Sequence, residues 1–479
     1  MLSRLTSDWV TSGTSADAEV RGSIRTLRDR ARQLVRDSDY ARQALRAIQN
    51  NVVGQGVGFQ SQVRMQRGGG LNQTINESIE EAWRLWCRRE SCDVGGRLCF
   101  NDIERLVIRS VVESGEVIVR MVQQPFGDSP IPLGLEIIEA DLLLDDYNGT
   151  AENGNEIRMG VEVDGWGRPQ AYYFAHEMRH PGDYQFQTYS YSREKIQRIP
   201  ARDVLHVYMI ERPGQTRGIT WFASAIQRLH HMAGYEEAEV VAARATSSIM
   251  GFITSPEGEL YGDGVINDQR VSSFEPGVFK YLNPGEQVTV PTMQRPGGEF
   301  DPFMRAMLRA VAAGIGCGYE SISKDFSQTN YSSSRLSLLD ERDHWRVLQS
   351  WLIENFHQPI FERWLDMAVL SGTLSLPRYE VSPMQYRQPR WMPRGWSWVD
   401  PQKEVAAYKE AEKAGYTTKT QIIAESGGDI EDVMQVRRRE LDLAEELDLS
   451  FDTDMDLPDP AEVGQDANSD SQPIQGANG

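Results

Sequence analysis

The sequence is short of the features that mark enzymes, membrane proteins and secreted proteins. No apolar run approaches the about 18–20 residues needed to cross a bilayer, and the opening segment MLSRLTSDWV has no apolar core of the kind a secretory signal carries. A cytosolic protein is expected. Only four cysteines occur in 479 residues: Cys87, Cys92 and Cys99 are close in the chain and Cys317 is far away. Their spacing has no CxxC knuckle and no nearby histidine, so reduced, packed thiols are expected rather than disulfides or zinc. The dipeptide Gly-Lys is absent, which removes the phosphate loop of nucleotide hydrolases, and there is no GxSxG elbow for acyl transfer. No catalytic, cofactor-binding or metal-ligating residue is expected.

Lysine is scarce as well, at seven positions against 43 arginines. Arginine keeps its charge and makes planar, bidentate contacts, which suits ion pairs between packed surfaces as well as phosphate binding. Seventy acids against 50 bases give a net charge of −20, and residues 441–479 hold eleven acids and no base. The remaining residues are therefore only mildly acidic. At 40% hydrophobic, 25% charged and 9% aromatic the composition is that of a folded chain long enough for about two to four structural units.

From Ala16 to Asn50 apolar residues recur at helical spacing, with arginines, among them Arg25, Arg28, Arg32 and Arg36, on the other faces. The interleaved Asp29, Asp37 and Asp39 favour a solvated or subunit-facing surface over nucleic-acid binding. Helices are expected at 75–89 and 101–114. Short β-branched and aromatic runs at 116–122, 135–144, 161–163, 171–174 and 204–210 then predict a mixed sheet, so residues 1–218 read as an α+β domain. A long helix is predicted from Ile219 to about Met250, followed by Gly, Pro and short strands over 251–300. Asp301 and Pro302 start another helix, ended by Gly316 and Gly318. A polar loop, SKDFSQTNYSSS, leads into a helical stretch from about Arg335 to Leu370, kinked at Pro359; Pro401–Leu447 is again helical, and 450–479 reads as an acidic disordered tail.

Three local patterns imitate chemistry. The run Leu142–Asp146 resembles a magnesium-holding strand end, but without a phosphate loop Asp145 and Asp146 read as an exposed strand terminus. Gly54, Gly56 and Gly58 follow a helix rather than a strand, so they are turn glycines and not a dinucleotide fingerprint. His176 and His180 stand beside Pro181 and Gly182, where a helical metal pair cannot form.

Several longer stretches together resemble the lambda-like family of tailed-phage portal proteins. They are 27–60 (LRDRARQLVRDSDYARQALRAIQNNVVGQGVGFQ), ESGEV (113–117), LEIIEADLL (135–143), GVEVDGWGRPQAYYF (160–174), IPARDVLHVYMIERPGQTRGITWFASAI (199–226) and DFSQTNYSSSRLSLLDER (325–342). Their order along about residues 15–375 is as specific as the pieces.

The resemblance implies a portal-type α+β subunit in a dodecameric ring at a capsid vertex, with an axial channel for double-stranded DNA. It implies a wing (1–218), a first stem helix (219–250), a clip facing the motor (251–300) and a second stem helix (301–317). A tunnel loop with a long spanning helix (318–375), a connection with a helical crown (376–449) and the tail (450–479) follow. The partners it implies are further copies of the chain, the large terminase subunit, major capsid and scaffolding proteins, head-completion or adaptor proteins, and DNA in transit without sequence preference, with no membrane. The location is the virion, with the host cytoplasm during assembly. Candidate channel residues are Lys324, Gln328, Asn330, Tyr331 and Arg335.

A conduit must not hold what passes through it, and a mildly acidic ring meets that condition where a basic groove would release counterions and bind. The competing readings are a metal-dependent nuclease or NTPase using Asp145, Asp146 and the histidines, and an acidic scaffolding protein, which would be an elongated helical monomer.

Overall fold

The computed structural model describes residues 13–65, 70–175, 196–248, 252–254, 265–266, 269–270, 287–289, 300–327, 330–396, 401–425, 428–447 and 449. They fall in two units, Met1–Arg394 and Gly395–Gly479.

In the first unit, serines and a glycine divide the N-terminal amphipathic stretch into three helices, α1 (Ala16–Arg21), α2 (Ile24–Asp37) and α3 (Asp39–Val52). The Ser15 and Ser38 side chains accept from the amides of Ala18 and Ala41, so each starts a helix by occupying an orphan donor. Gly54 and Gly56 then turn the chain with φ of +63° and +115° into strand β1 (Gly58–Gln60). Helices α4 (Gln73–Trp86) and α5 (Phe100–Ser114) follow close to their expected places.

The expected mixed sheet is instead two antiparallel sheets. Strands β2 (Glu116–Val122) and β3 (Gly134–Ile138) belong to one; β4 (Gly149–Thr150), β5 (Glu156–Arg158), β6 (Val161–Val163), β7 (Pro169–Phe174) and β8 (Gln197–Pro200) run in order across the other; β9 (Val204–Tyr208) completes the first as β3-β2-β9. A parallel pair needs a crossover of about a dozen residues or more, usually helical, and the described connections are turns and loops. The run 135–144 is not one strand either. It leaves the sheet at Ile138 and makes a 3-10 turn at Ala140–Leu142, and Leu143 then bridges Phe174 of the second sheet. One apolar cluster, including Ile118, Ile138, Leu143, Val161, Phe174 and Val204, ties the two sheets together.

Helix α6 spans Ile226–Ser248, beginning seven residues later than expected because Thr220 and Trp221 donate to the Val112 carbonyl and hold the chain against α5 first. Within 251–300 the described pieces are β10 (Phe252–Thr254), β11 (Val265–Ile266), β12 (Gln269–Arg270) and β13 (Gln287–Thr289), paired β10–β13 and β11–β12. Helices α7 (Phe300–Ile315), α8 (Tyr319–Ser323) and α9 (Tyr331–Leu352) follow. The expected kink takes the form of a π-helical turn, Ile353–His357, and Pro359 sits in the first turn of α10 (Gln358–Leu370), where its missing amide costs no hydrogen bond. Strand β14 (Arg390–Met392) then pairs with β1, returning the chain to its start.

A second core surrounds this return. Trp83 has Phe59, Trp86, Phe100 and Trp364 within 5.0–5.3 Å between ring centroids, and Trp86, Phe361 and Trp364 are fully buried. Glu104 of α5 meets His357 of the π-turn at 2.6 Å, both side chains fully buried.

The second unit contains α11 (Pro401–Lys413), α12 (Lys419–Glu425) and α13 (Ile430–Glu446), the last started by Asp429 accepting from the Glu431 amide. Residues 450–479 and the pair His176 and His180 lie outside the described residues.

Candidate functional site

The candidate channel segment is built on three helices. Glu341 of α9 accepts from the Gly318 amide and the Ser321 hydroxyl, both at 2.8 Å, and Gln43 of α3 donates to the Ser321 carbonyl at 3.0 Å. Short α8 is thereby fixed, and Lys324 ends it in the left-handed region at φ +57°. Asp325 anchors the next step: it accepts from the Tyr319 hydroxyl and the Ser327 amide, each at 3.0 Å, and faces Arg305 of α7 at 3.5 Å. The Ser327 bonds first, then Tyr319 and Arg305, hold its carboxyl down at about 2.

Residues 318–327 are thus tied down rather than forming a free loop. The polar segment is also shorter than expected, because the Ser334 amide donates to the Asn330 carbonyl and α9 begins at Tyr331. Asn330 occupies the N-cap position that asparagine favours, and the serines behind it fit a first turn. Tyr331 and Arg335 are therefore helix residues. Lys324 lines a cleft of about 230 Å³ with Glu320, Ser321, Phe326, Ser334 and Glu341. Asn330 is exposed and Arg335 half-buried, while Gln328 lies outside the described residues.

A larger concentration of charge lies inside the two-sheet region. Glu116, the first residue of β2, is wholly buried, and its two oxygens accept from Arg28 Nη2 (2.9 Å), Arg217 Nη2 (2.5 Å) and Nε (2.9 Å), the Gly218 amide (2.9 Å) and His206 Nε2 (2.9 Å). Arg217 spends its remaining donors on the carbonyls of Ala140, Leu143 and Met159. Asp141 pairs with both Arg28 (3.3 Å) and Arg32 (2.5 Å). Burial would raise the Glu116 carboxyl, but Arg217 and His206 outweigh it and hold the group well below its usual range; burial pushes the His206 imidazole down, so it donates to Glu116 as the neutral ring.

This cluster corrects one expectation. Helical spacing puts Arg28 on a solvated or subunit-facing arginine surface, yet it is only 1% exposed, because α2 lies against β2 and the Ala140–Leu142 turn. Two glycines permit the geometry. Gly115 has φ +92°, and a Cβ on Gly218 would stand 2.1 Å from the Gly115 carbonyl oxygen. ESGEV and the TRG of the 199–226 stretch are two halves of one buried construction, a juxtaposition visible in sequence only as two separate pieces of the resemblance.

The chemistry look-alikes resolve simply. Asp145 and Asp146 do not end a strand: they lie in a turn that follows the Ala140–Leu142 3-10 turn, and Asp145, its side chain only 10% exposed, pairs with Arg25 while Asp146 is exposed. Cys92 is buried, its thiol pushed up to about 12 by burial, and burial likewise raises Cys87. Among the described residues no group of three or more His, Cys, Asp or Glu side chains could hold a metal ion, and no helix is long and apolar enough to cross a membrane.

A family model described as phage portal protein, lambda family, matches residues 2–349. The chain is 31% identical over 442 residues to the probable portal protein of Halomonas phage phiHAP-1, covering 90% of this chain and 83% of that one. The chain belongs to the lambda family of phage portal proteins. It is 21% identical over 467 residues to portal protein B of Escherichia phage lambda, covering 90% of this chain and 86% of that protein. A solved structure titled neck of an empty GTA particle computed with C6 symmetry overlaps 83% of this chain and 93% of that chain, with a TM-score of 0.44 and 14% identity. This portal protein is a head–tail connector component serving DNA packaging, and portal proteins are structural rather than enzymatic. The nuclease or NTPase alternative has no support.

Proposed function

We propose that twelve copies of this portal chain close into a ring at one capsid vertex, through which a terminase motor drives double-stranded DNA inward and from which DNA later leaves. In this reading residues 1–218 are the wing, 219–250 and 301–317 the stem, and 251–300 the clip on which the large terminase subunit docks, to be followed by head-completion or adaptor proteins. Capsid and scaffolding proteins surround the ring, residues 376–449 form a crown, and 450–479 is an acidic tail. The ring works in the virion after assembly in the host cytoplasm and hydrolyses no ATP.

Lys324, Gln328, Asn330, Tyr331 and Arg335 face the DNA. The observation that carries this is the anchoring of Asp325, which presents polar side chains on a braced support between α8 and α9. Such groups can make and break phosphate contacts without holding the duplex, and twelve chains carry a formal charge of about −240, which discourages adhesion elsewhere. Replacing Lys324, Gln328 and Asn330 together by alanine should leave ring assembly and motor docking intact and lower the DNA retained after packaging. Normal retention would refute the channel assignment, whereas loss of rings would place these residues at a subunit interface.

A further inference from the structure

The turn between β6 and β7 holds a tryptophan almost entirely in solvent. Trp166 is 92% exposed, and burying an aromatic side chain of this kind removes about 150–250 Å² from water. The turn that carries it is preformed. Asp164 Oδ1 accepts from the amides of Trp166 (2.8 Å) and Arg168 (2.9 Å), its Oδ2 from the Gln170 side chain (3.1 Å), and its own amide donates to the Arg168 carbonyl (3.0 Å). Gly167 has φ +80°, and among the described residues no other group comes within 4 Å of where a Cβ on Gly165 or Gly167 would stand. The tip is held by hydrogen bonds within the turn, and among the described residues Trp166 stays 92% exposed. A tryptophan displayed on a pre-ordered support has the character of an interface anchor, because its ordering cost is already met.

A ring closes through heterologous contacts, in which a feature on one face of a subunit meets a different feature on its neighbour. The same chain carries a cleft of about 650 Å³ between α2 and α6, with Leu34, Ile226 and Ala233 as apolar lining and Arg30, His230 and His231 beside them. This is room enough for an indole, and a guanidinium and two imidazoles are partners for its face. Arg168, exposed next to Trp166, would join Arg36 on the half-exposed Asp37 carboxylate, which also lines the cleft and keeps lone pairs beyond its two bonds from Arg36. We propose that Trp166 of each copy seats in the α2–α6 cleft of the adjacent copy and so sets the contact between neighbouring subunits. This rests on the ring reading above.

The test uses the full-length protein. Oxidative footprinting with mass spectrometry would follow Trp166 in dilute monomer and in assembled oligomer, and W166A, W166F and A233W would be compared with the parent by mass photometry over a range of concentrations. The proposal expects at least tenfold protection of Trp166 on assembly. It expects W166A and the cleft-filling A233W to raise the concentration needed for half-assembly at least tenfold, with W166F between W166A and the parent. Far-ultraviolet circular dichroism of W166A should match the parent, since the side chain is 92% exposed. Oligomers in which Trp166 stays as reactive as in the monomer would overturn the proposal while leaving the ring intact, as would protection that appears only after capsid or adaptor protein is added. Failure of the parent to assemble at all would overturn both.

Discussion

Replacing Glu116 by glutamine tests the buried charge cluster at its centre. The substitution keeps shape but removes the one anion that faces both Arg28 and Arg217, two guanidiniums that are 1% and 0% exposed. It also puts an amide N–H₂ where at least one bonded oxygen now accepts. Removing one partner of a buried ion pair costs about 3–5 kcal/mol. Arg28 keeps Asp141 and Arg217 keeps three carbonyls, so a value near the lower end is expected. In a unit of nearly 400 residues that corresponds to a fall in melting temperature of roughly 3–5 °C, which differential scanning fluorimetry at pH 7 resolves. The pH dependence adds a second signature. Because the folded Glu116 carboxyl lies far below its ordinary value of 4.5, its contribution is complete above about 4.5 and is lost as pH falls toward the lower folded value. His206, held below its ordinary 6.5 by burial, likewise stabilises the fold above about 6.5 and less as pH drops. The parent should therefore lose stability steadily from pH 7 to pH 3, and E116Q should lose less over the acid half of that range. A variant that melts within about 2 °C of the parent at pH 7, or that keeps the parent's full acid sensitivity, would refute the reasoning.

Gly218→Ala should give insoluble protein or cost at least about 3 kcal/mol, since the new methyl would lie 2.1 Å from a backbone oxygen, whereas Gly165→Ala, with open space around it, should stay within about 0.5 kcal/mol in denaturant titrations. His357→Leu should destabilise by about 3 kcal/mol by leaving Glu104 buried without its partner, and adding Glu104→Met should recover more than half of that in a double-mutant cycle; no recovery would show that the pair is not the cause. A chain ending at Leu449 should assemble as the parent does by mass photometry, because the removed residues are acidic and poor in apolar side chains; loss of rings would make the tail structural.

What could be seen in the sequence was what is local. The Asp301-Pro302 pair places α7 to within a residue at its start, and the periodicity of 16–50 shows helix even where Ser23 and Ser38 cut it into three. Antiparallel pairing was not legible, because strands of two to seven residues carry too little alternation to choose neighbours. The start of α9 was misplaced by four residues because Ser332–Ser334 look like loop until Asn330 is recognised as the cap. The Glu116 cluster was invisible for a deeper reason. Arg28, Glu116, His206 and Arg217 span nearly two hundred positions, and each alone looks like a surface charge; only the fold brings them together. Of the candidate channel residues, Lys324 and Asn330 lie at helix ends, Tyr331 and Arg335 lie within a helix, and the bracing by Asp325 and Glu341 had no signal in composition.

The central claim is that this portal chain works as a closed ring with an axial passage, and electron microscopy of the purified full-length protein tests it most directly. End-on class averages should show a closed ring of subunits around a central opening wide enough for a DNA duplex, with twelvefold symmetry in the head-assembled form. Monomers at every concentration and salt tried, or compact particles without a central opening, would contradict it.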